Sequence, residues 1–303
     1  VEISGNLLSE SILESLAVEA SKHAFTKPES FRWYKYDVVD SQSIHLSRIA
    51  EAYENLKARW DMLSSSFEEI DISDLREKWI KYLFLQLGYD LEYQKADMVA
   101  DSGNKFCLSH RGWDGQHAPI IHTVLFSQDL DKKPDDGRHK YSPHDTLQRY
   151  LNQADDDLWS IVTNGKVLRI LRDFHHETRQ AYVEFDLELI FEGRNYNDFR
   201  LLWRLIHPSR FISNDEGKCI LETLFEESKN AGLAIGEHLQ KNVRLAIESF
   251  GNGFLLSTPG LIEELIDNTE KCLNFYQQVL RVIYRVLFLF YAEQRKLMPT
   301  HSA

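Results

Sequence analysis

The stretch WSIVTNGKVLRILRD, residues 159–173, contains the pattern that decides the fold. Asn164 and Gly165 separate two apolar runs, and this dipeptide tolerates the positive φ angles of a two-residue hairpin turn. Such a turn predicts that Thr163 pairs with Lys166. Side chains then alternate between two faces, one with Trp159, Ile161, Leu168 and Ile170, the other with Val162, Val167 and Leu171. Because both faces are apolar, the hairpin is predicted to lie in a sheet covered on both sides.

Further strands are predicted on either side of this hairpin. Their segments are short, contain β-branched and aromatic residues, and are bounded by turn-forming residues. They are LEYQKADMV (91–99), KFCLSH (105–110), PIIHTVLF (119–126) and RQAYVEFDLEL (179–189). The central region therefore predicts a mixed sheet that includes the strands around Ile121, Val162 and Leu168.

Two amphipathic helices are predicted to cover this sheet. The first spans residues 75–87, where leucines and a tryptophan form one stripe, with Ser73 as its cap and Gly88 at its end. The second spans residues 142–153. It begins with the hydroxyl of Ser142, a proline at the first helical position and a carboxylate three residues after the cap.

Apolar residues follow both strand-like and helix-like spacing in the central region and helix-like spacing after it. This pattern predicts an α/β core followed by an all-α region. Residues 1–70 are predicted to be a helical lead-in, 71–194 the α/β core, and 195–303 a helical domain. Within the last region, Gly232 and Gly251 are interpreted as helix ends, since glycine commonly follows the last turn of a helix.

The most apolar segment is VIYRVLFLFYA, residues 282–292, within a helix predicted at 270–297. It is shorter than the ~20 residues that span a bilayer, and Arg285 interrupts it, so we interpret it as a buried helix. No signal peptide is recognisable at the start, where Val1 rather than methionine suggests a piece of a longer protein. Three cysteines without a CxxC pair are typical of a reduced, cytoplasmic protein without membrane contact.

Charge restricts the functional classes. A composition with 43% hydrophobic and 27% charged residues is typical of a globular protein. The net charge of −12 argues against a dedicated nucleic-acid coat but leaves room for a local basic face. The loop DLDKKPDDGRHK, residues 129–140, concentrates basic residues, which are either phosphate contacts or a solvated charge run. The predicted DNA contacts are Lys132, Lys133, Arg138 and Lys140.

A nuclease of the PD-(D/E)xK type is the alternative. It needs one acid and then an acid-x-Lys pair on the next strand, so that carboxylates hold Mg²⁺ beside a lysine. Asp97 or Asp101 could be the first acid, but Ile121-His122-Thr123 occupies the place of the second. The nearest substitute is the segment 131–133. The alternative site therefore consists of Asp97, Asp131 and Lys133, and we expect no cleavage by this chain alone.

Four segments carry a family resemblance. They are QDLDKK (128–133), SPHDTLQRYLNQADDDLWSIVTNGKVLRILRD (142–173), RQAYVEFDLELIFEGRNYNDFRLLWRLIHPSRF (179–211) and RVIYRVLFLFYAEQRKLMP (281–299), and they resemble one continuous region of large bacterial restriction–modification adenine-N6 methylases. These are the single-chain type IIG-like enzymes and the methylase component of the DISARM phage-defence system. The resemblance covers roughly residues 79–299 and implies an N-terminal, DNA-handling fragment of such an enzyme.

The same resemblance implies what this chain lacks. The methyltransferase domain, with its S-adenosylmethionine, would follow downstream as the partner of this fragment. None of the seven prolines are adjacent, so the Asn-Pro-Pro-Tyr type of catalytic motif is absent. No cofactor is expected in this chain, except Mg²⁺ if the nuclease alternative holds.

The hairpin and the preceding Leu87-Gly88-Tyr89 also look like the nuclease-like fold at the N-terminus of type I restriction subunits. This resemblance implies a core of restriction-endonuclease-like type, flanked by helices. The chain departs from the pattern at the catalytic acids, which favours a scaffold over an endonuclease.

Overall fold

A computed structural model describes residues 1–5, 7–32, 39–114, 118–137, 139–174, 180–214, 217–266 and 268–294 of the chain. Arg138, one of the predicted DNA contacts, lies outside these residues. The chain divides into two compact units, Val1–Lys229 and Asn230–Ala303. The first unit contains the strands, and the second is helical where it is described. The sequence therefore correctly predicts an α/β region followed by an all-α region.

The strands of the first unit are short. Their ranges are β1 (Glu2–Ser4), β2 (Glu92–Tyr93), β3 (Met98–Val99), β4 (Lys105–Phe106), β5 (His110–Arg111), β6 (Ile120–Thr123), β7 (Trp159–Thr163), β8 (Val167–Arg172) and β9 (Tyr182–Asp186). Among the described residues, seven of them form one sheet in the order β1-β9-β8-β7-β6-β5-β2, and β3 pairs with β4 separately. Strands β6 and β7 are parallel and the other neighbours antiparallel, so the sheet is mixed as predicted.

The predicted hairpin is present, but its register differs by two residues. Thr163 lies opposite Leu168 rather than Lys166. Side chains of the turn explain the difference, because Asn164 Oδ1 accepts hydrogen bonds from the N–H groups of Lys166 (3.0 Å) and Val167 (2.8 Å). These bonds widen the connection to four residues. An even shift keeps every side chain on its face, so the predicted faces are correct although the predicted pairs are wrong.

Each face of the hairpin belongs to its own hydrophobic core. Trp159, Ile161, Leu168 and Ile170 belong to the larger core. Val162 and Leu171 belong to a smaller core on the other face. The sheet is therefore covered on both sides, as the two apolar faces predict.

Helix α3 (72–86) covers the larger core. It consists of Ile72–Leu75, a π-helical turn at Arg76–Ile80, and Lys81–Gln86. The cap is Asp71 rather than Ser73, because the Asp71 carboxylate accepts a hydrogen bond from the N–H of Asp74 at 2.8 Å. The helix stops before Gly88, whose φ of +96° suits the left-handed conformation expected there.

Helix α4 (Pro143–Leu151) covers the smaller core. Ser142 caps it by accepting a hydrogen bond from the N–H of Asp145 at 3.1 Å. Leu147 and Leu151 pack in the same core as Val162. The predicted start and the predicted apolar face of this helix are confirmed.

The lead-in is part of the same unit. Strand β1 pairs with β9 at one edge of the sheet, so the first residues supply a strand as well as helices. Both boundaries that the sequence predicts, after residues 70 and 194, lie inside the first unit, since the flanking helices contribute Leu16, Trp60 and Leu202 to the larger core. These helices are α1 (Glu10–Ala17), α2 (Gln42–Leu63) and α6 (Tyr196–Ile206).

Several predicted strands are shorter than expected. The segment 91–99 is divided into β2 and β3, and β9 ends at Asp186. The Asp186 side chain accepts a hydrogen bond from the N–H of Leu189 at 2.9 Å and so begins helix α5 (Leu187–Phe191). The carboxylate thus turns the expected end of a strand into a helix.

Three helices account for residues 220–294, as far as the structure describes them: α7 (Ile220–Ser257), α8 (Leu261–Ile266) and α9 (Thr269–Gln294). Helix α7 passes without interruption through Gly232 and Gly251. The interpretation of these glycines as helix ends is therefore wrong, and neither has a positive φ. Glycine is tolerated inside a helix at a modest cost, so it does not by itself end one.

The interpretation of residues 282–292 as a buried helix is also wrong. Val279, Ile283 and Ala292 are buried, whereas Phe288 is 68% exposed and Phe290 is 63% exposed. Helix α9 packs against α8, and its consecutive residues Phe288, Leu289, Phe290 and Tyr291 are all exposed, so its apolar residues cover more than one face. Among the described helices, none is both long and apolar enough to cross a bilayer.

Candidate functional site

A cavity of about 300 Å³ lies at the carboxyl end of β6. Its walls come from α3, from the segment before β5, from the charged loop 129–140 with the adjacent Tyr141, and from the first turn of α4. Among its lining residues are Arg76, Tyr93, His122, Thr123, His139 and Tyr141. Because β6 and β7 are the parallel pair of this sheet, the cavity occupies the edge where open α/β sheets commonly bind ligands.

Ser109 fixes the end of β6 against the neighbouring strand. Its hydroxyl donates to the carbonyl of Ile121 (3.0 Å) and accepts from the N–H of Thr123 (2.7 Å). With its own hydrogen already donated, the hydroxyl accepts the bond from His110 Nδ1 at 2.9 Å. The cavity therefore has a rigid floor made of side-chain as well as backbone hydrogen bonds.

His122 is the central polar side chain of the cavity. It is only 7% exposed, and its Nδ1 has no hydrogen-bond partner. Burial, together with the smaller effects of the nearby His139, Arg76 and His110, lowers the pKa of His122 to about 3. The imidazole is therefore neutral at pH 7 and can both donate and accept a hydrogen bond.

Two further polar atoms of the cavity lining are unpaired. Thr123 Oγ1 and Arg76 Nε are both buried without a hydrogen-bond partner. Arg76 begins the π-helical turn of α3, and such turns frequently occur at functional sites. A buried polar atom without a partner costs roughly 1–3 kcal/mol, so these atoms lower the stability of the fold beside the cavity.

Aromatic rings and cations form the sides of the cavity. The Arg76 guanidinium lies 5.0 Å from the centre of the Tyr93 ring, and the Arg149 guanidinium lies 3.9 Å from that of Tyr141. His139 Nδ1 lies 2.6 Å from a carboxylate oxygen of Asp136. This carboxylate is the acidic group among the described lining residues, and it is already engaged with an imidazole.

The residues of the nuclease alternative do not meet at this cavity. Asp97, Asp131 and Lys133 are exposed, and none of them lines it. Asp131 is bound through both carboxylate oxygens to Arg169, at 2.7 Å each. The Asp101 carboxylate instead accepts a hydrogen bond from the N–H of Asp155 at 2.7 Å.

The predicted DNA contacts lie on the loop that also forms one wall of the cavity. Lys132 is 79% exposed and forms an ion pair with Asp129 at 2.7 Å. Lys133 and Lys140 are exposed as well. Pro134, His139 and Tyr141, on or next to this loop, line the cavity. The basic residues are therefore close in sequence to residues of the cavity wall.

An ionic network ties this loop to the sheet. The Arg169 side chain binds Asp131 on the loop and Glu184 on β9, and its guanidinium lies 4.2 Å from the centre of the Tyr182 ring. The hydrogen bonds from Arg169 hold the pKa of the Asp131 carboxyl below its usual value. This arrangement makes Asp131 a structural anchor, and a metal would have to displace an arginine from it.

Metal-binding geometry is not found in the described part of the chain: no three histidine, cysteine or carboxylate side chains there converge to hold an ion. The cavity itself was not predicted from the sequence, although His122 and Thr123 interrupt an otherwise apolar buried strand. Polar residues inside a buried, otherwise apolar strand are uncommon, and they are the sequence signal that could have indicated the cavity.

No protein-family model, curated protein or solved structure matches this chain.

Proposed function

We propose that this chain is a DNA-handling scaffold module of a bacterial restriction–modification adenine methylase, with a core of restriction-endonuclease-like type. In this role the module positions DNA for a methyltransferase domain outside this chain, serves phage defence in the cytoplasm, and does not itself catalyse a reaction. S-adenosylmethionine would bind to that other domain.

One observation carries the proposal: the position that the resemblance assigns to catalytic acids is occupied by a histidine-lined cavity. The surrounding layout supports the resemblance. The TNG hairpin lies inside a mixed sheet, the parallel strands β6 and β7 are adjacent, and α3 and α4 cover opposite faces. A nuclease-like layout without converging acids is expected of a scaffold.

Anchoring of the charged loop supports a binding role. Asp131 binds Arg169, and the N–H of His144 donates to the carbonyl of Leu130 at 3.0 Å. Gln128 Nε2 donates to the carbonyl of Lys132 at 2.8 Å. These bonds hold the backbone that carries the predicted phosphate contacts, so less ordering entropy is lost when the loop meets DNA.

The test measures duplex binding as a function of salt. A short fluorescent duplex is titrated with the chain and with a variant in which Lys132, Lys133, Arg138 and Lys140 are replaced by alanine. We expect weaker binding, and each lost phosphate contact should reduce the slope of log affinity against log salt by about 0.9.

A matched control removes four other positive charges. Lys22, Lys78, Lys81 and Lys95 are exposed and do not belong to the loop. Replacing these four with alanine changes the net charge equally, so a general charge effect would lower both affinities alike. Equal affinities and equal slopes for the two variants would overturn the assignment of the loop.

The nuclease alternative has no observation in its favour. Two-acid metal chemistry needs carboxylates that converge on one metal, whereas the candidate acids bind Arg169 or lie outside the cavity. Cleavage of DNA that depends on Asp97 or Asp131 would nevertheless restore this alternative.

A further inference from the structure

We propose that the cavity at the end of β6 is a nucleobase-binding site that receives one unpaired base. This inference deepens the proposed function, because the same charged loop would bind the phosphates of the strand that supplies the base. The ligand class follows from three properties of the cavity, namely its polar lining residues, its aromatic walls and its size.

The polar atoms fit the edge of a base. Gln94, His122 and Gln128 line the cavity, and a base edge presents both hydrogen-bond donors and acceptors within one plane. A neutral imidazole and an amide each carry a donor and an acceptor, so this set suits an uncharged, planar ring that carries both kinds of group.

The walls fit the faces of a base. Tyr93 and Tyr141 line the cavity, and stacking of a base on an aromatic side chain contributes roughly 1–3 kcal/mol. Leu108, Leu125, Pro134 and Pro143 supply apolar surface around these rings. A predominantly apolar cavity with a few polar groups is typical of small-molecule sites.

The volume of the cavity fits a base, and the exposed lysines of the charged loop fit the phosphates of the same strand. A volume of about 300 Å³ lies at the lower end of the range for ligand pockets, roughly 300–1,000 Å³, and excludes a stretch of strand. Lys133 and Lys140 are exposed on the loop whose other residues line the cavity. A strand that placed one base in the cavity would bring its phosphates to these lysines.

The first experiment uses nucleosides, which carry no phosphate. Binding of adenosine, guanosine, cytidine and thymidine to the whole chain is measured by calorimetry. Leu125 lines the cavity but is 43% exposed, so Leu125→Trp adds bulk at the cavity lining without disturbing the core. Leu85→Trp is the matched control, since Leu85 is exposed and does not line this cavity.

We expect at least one nucleoside to bind, with affinity at least tenfold lower for Leu125→Trp and unchanged for Leu85→Trp. His122→Leu should also weaken binding by a similar factor, because it removes the central hydrogen-bonding group and keeps an apolar side chain of moderate size. The absence of binding by all four nucleosides, or equal binding by both tryptophan variants, would overturn the proposal.

A second set of probes distinguishes a free nucleoside from a base in DNA. The chain is titrated with a single strand, with a matched duplex and with the same duplex carrying one central mismatch. If the base comes from DNA, the mismatched duplex should bind several times more tightly than the matched one, since an unpaired base is easier to extrude. This preference should disappear in Leu125→Trp.

The two proposals fail in different ways. Loss of salt-dependent duplex binding by the loop variant tests the phosphate contacts, and nucleoside binding tests the cavity. Nucleoside binding without any preference for mismatched DNA would identify free nucleosides as the source of the base and contradict the link to the loop.

Discussion

Arg169 on β8 holds both carboxylate oxygens of Asp131, at 2.7 Å each, and thereby joins the charged loop to the centre of the sheet. The arginine is 8% exposed and also binds Glu184. Asp131, which the sequence suggests as a metal ligand of the nuclease alternative, is thus the ion-pair partner of the buried Arg169 side chain. Loop position and sheet integrity are therefore coupled through the Arg169 side chain.

Replacement of Arg169 by leucine should destabilise the first unit. The change leaves Glu184 and Asp131 without their cation. Loss of one partner from a fully buried ion pair costs roughly 3–5 kcal/mol, and the loss here should lie at or below the lower end of that range because the Asp131 side chain is 41% exposed. Urea unfolding measures the loss. Lys78→Leu is the control, because the Lys78–Asp74 pair is about half exposed and should change the unfolding free energy by less than about 1 kcal/mol. Similar effects of both changes would contradict the anchoring role.

His144 should make stability depend on pH. Burial lowers the pKa of His144 to about 4, with Arg169 contributing in the same direction, whereas an unfolded chain has a histidine pKa of about 6.5. Below pH 6.5 the unfolded state therefore binds a proton that the folded state excludes. Stability is lost as the pH falls from about 6.5 towards 4, at about 1.4 kcal/mol per pH unit for this group.

The variant His144→Gln isolates that effect. It should be less stable than the natural chain at pH 7, but the difference should shrink by about 2 kcal/mol at pH 5, because glutamine does not titrate. Urea unfolding at the two pH values gives both differences. A difference that stays constant between them would contradict the burial of a neutral imidazole.

Gly165 should tolerate alanine less well than Gly137 does. Its φ is +86°, and an added Cβ would lie 3.0 Å from Cδ1 of Trp79. Gly137 also has a positive φ, of +69°, but no described atom lies within 4 Å of its added Cβ. Alanine at either position carries the left-handed penalty of about 1 kcal/mol, and at Gly165 it should cost roughly 1–3 kcal/mol more through overpacking. Thermal unfolding compares the two variants, and equal losses would contradict the tight contact with Trp79.

Much of the fold follows from the sequence because its signals are local. Two apolar faces predict the covered hairpin, and Ser142 with its following proline predicts the start of α4. The register could not be predicted, since it depends on the particular bonds made by Asn164. The cavity was missed for a similar reason: His122 becomes its central group only when α3, β6 and the charged loop meet.

Gly251 offers a direct test of the helical region. In a continuous α7 it lies inside the helix without a positive φ, and an alanine Cβ there would meet no described atom within 4 Å. Gly251→Ala should therefore stabilise the helix by roughly 0.5–1 kcal/mol. If Gly251 were a left-handed helix end, alanine would destabilise instead. Circular dichroism during thermal unfolding distinguishes the two outcomes.

The central claim is that this chain holds DNA without cutting it. The most direct measurement incubates the chain with supercoiled plasmid in Mg²⁺ and in Mn²⁺, at a concentration at which a gel shift shows the plasmid to be bound. We predict a shifted plasmid that remains supercoiled after the protein is removed. Nicking that disappears in Asp97→Ala or Asp131→Ala would contradict the account and make those carboxylates metal ligands.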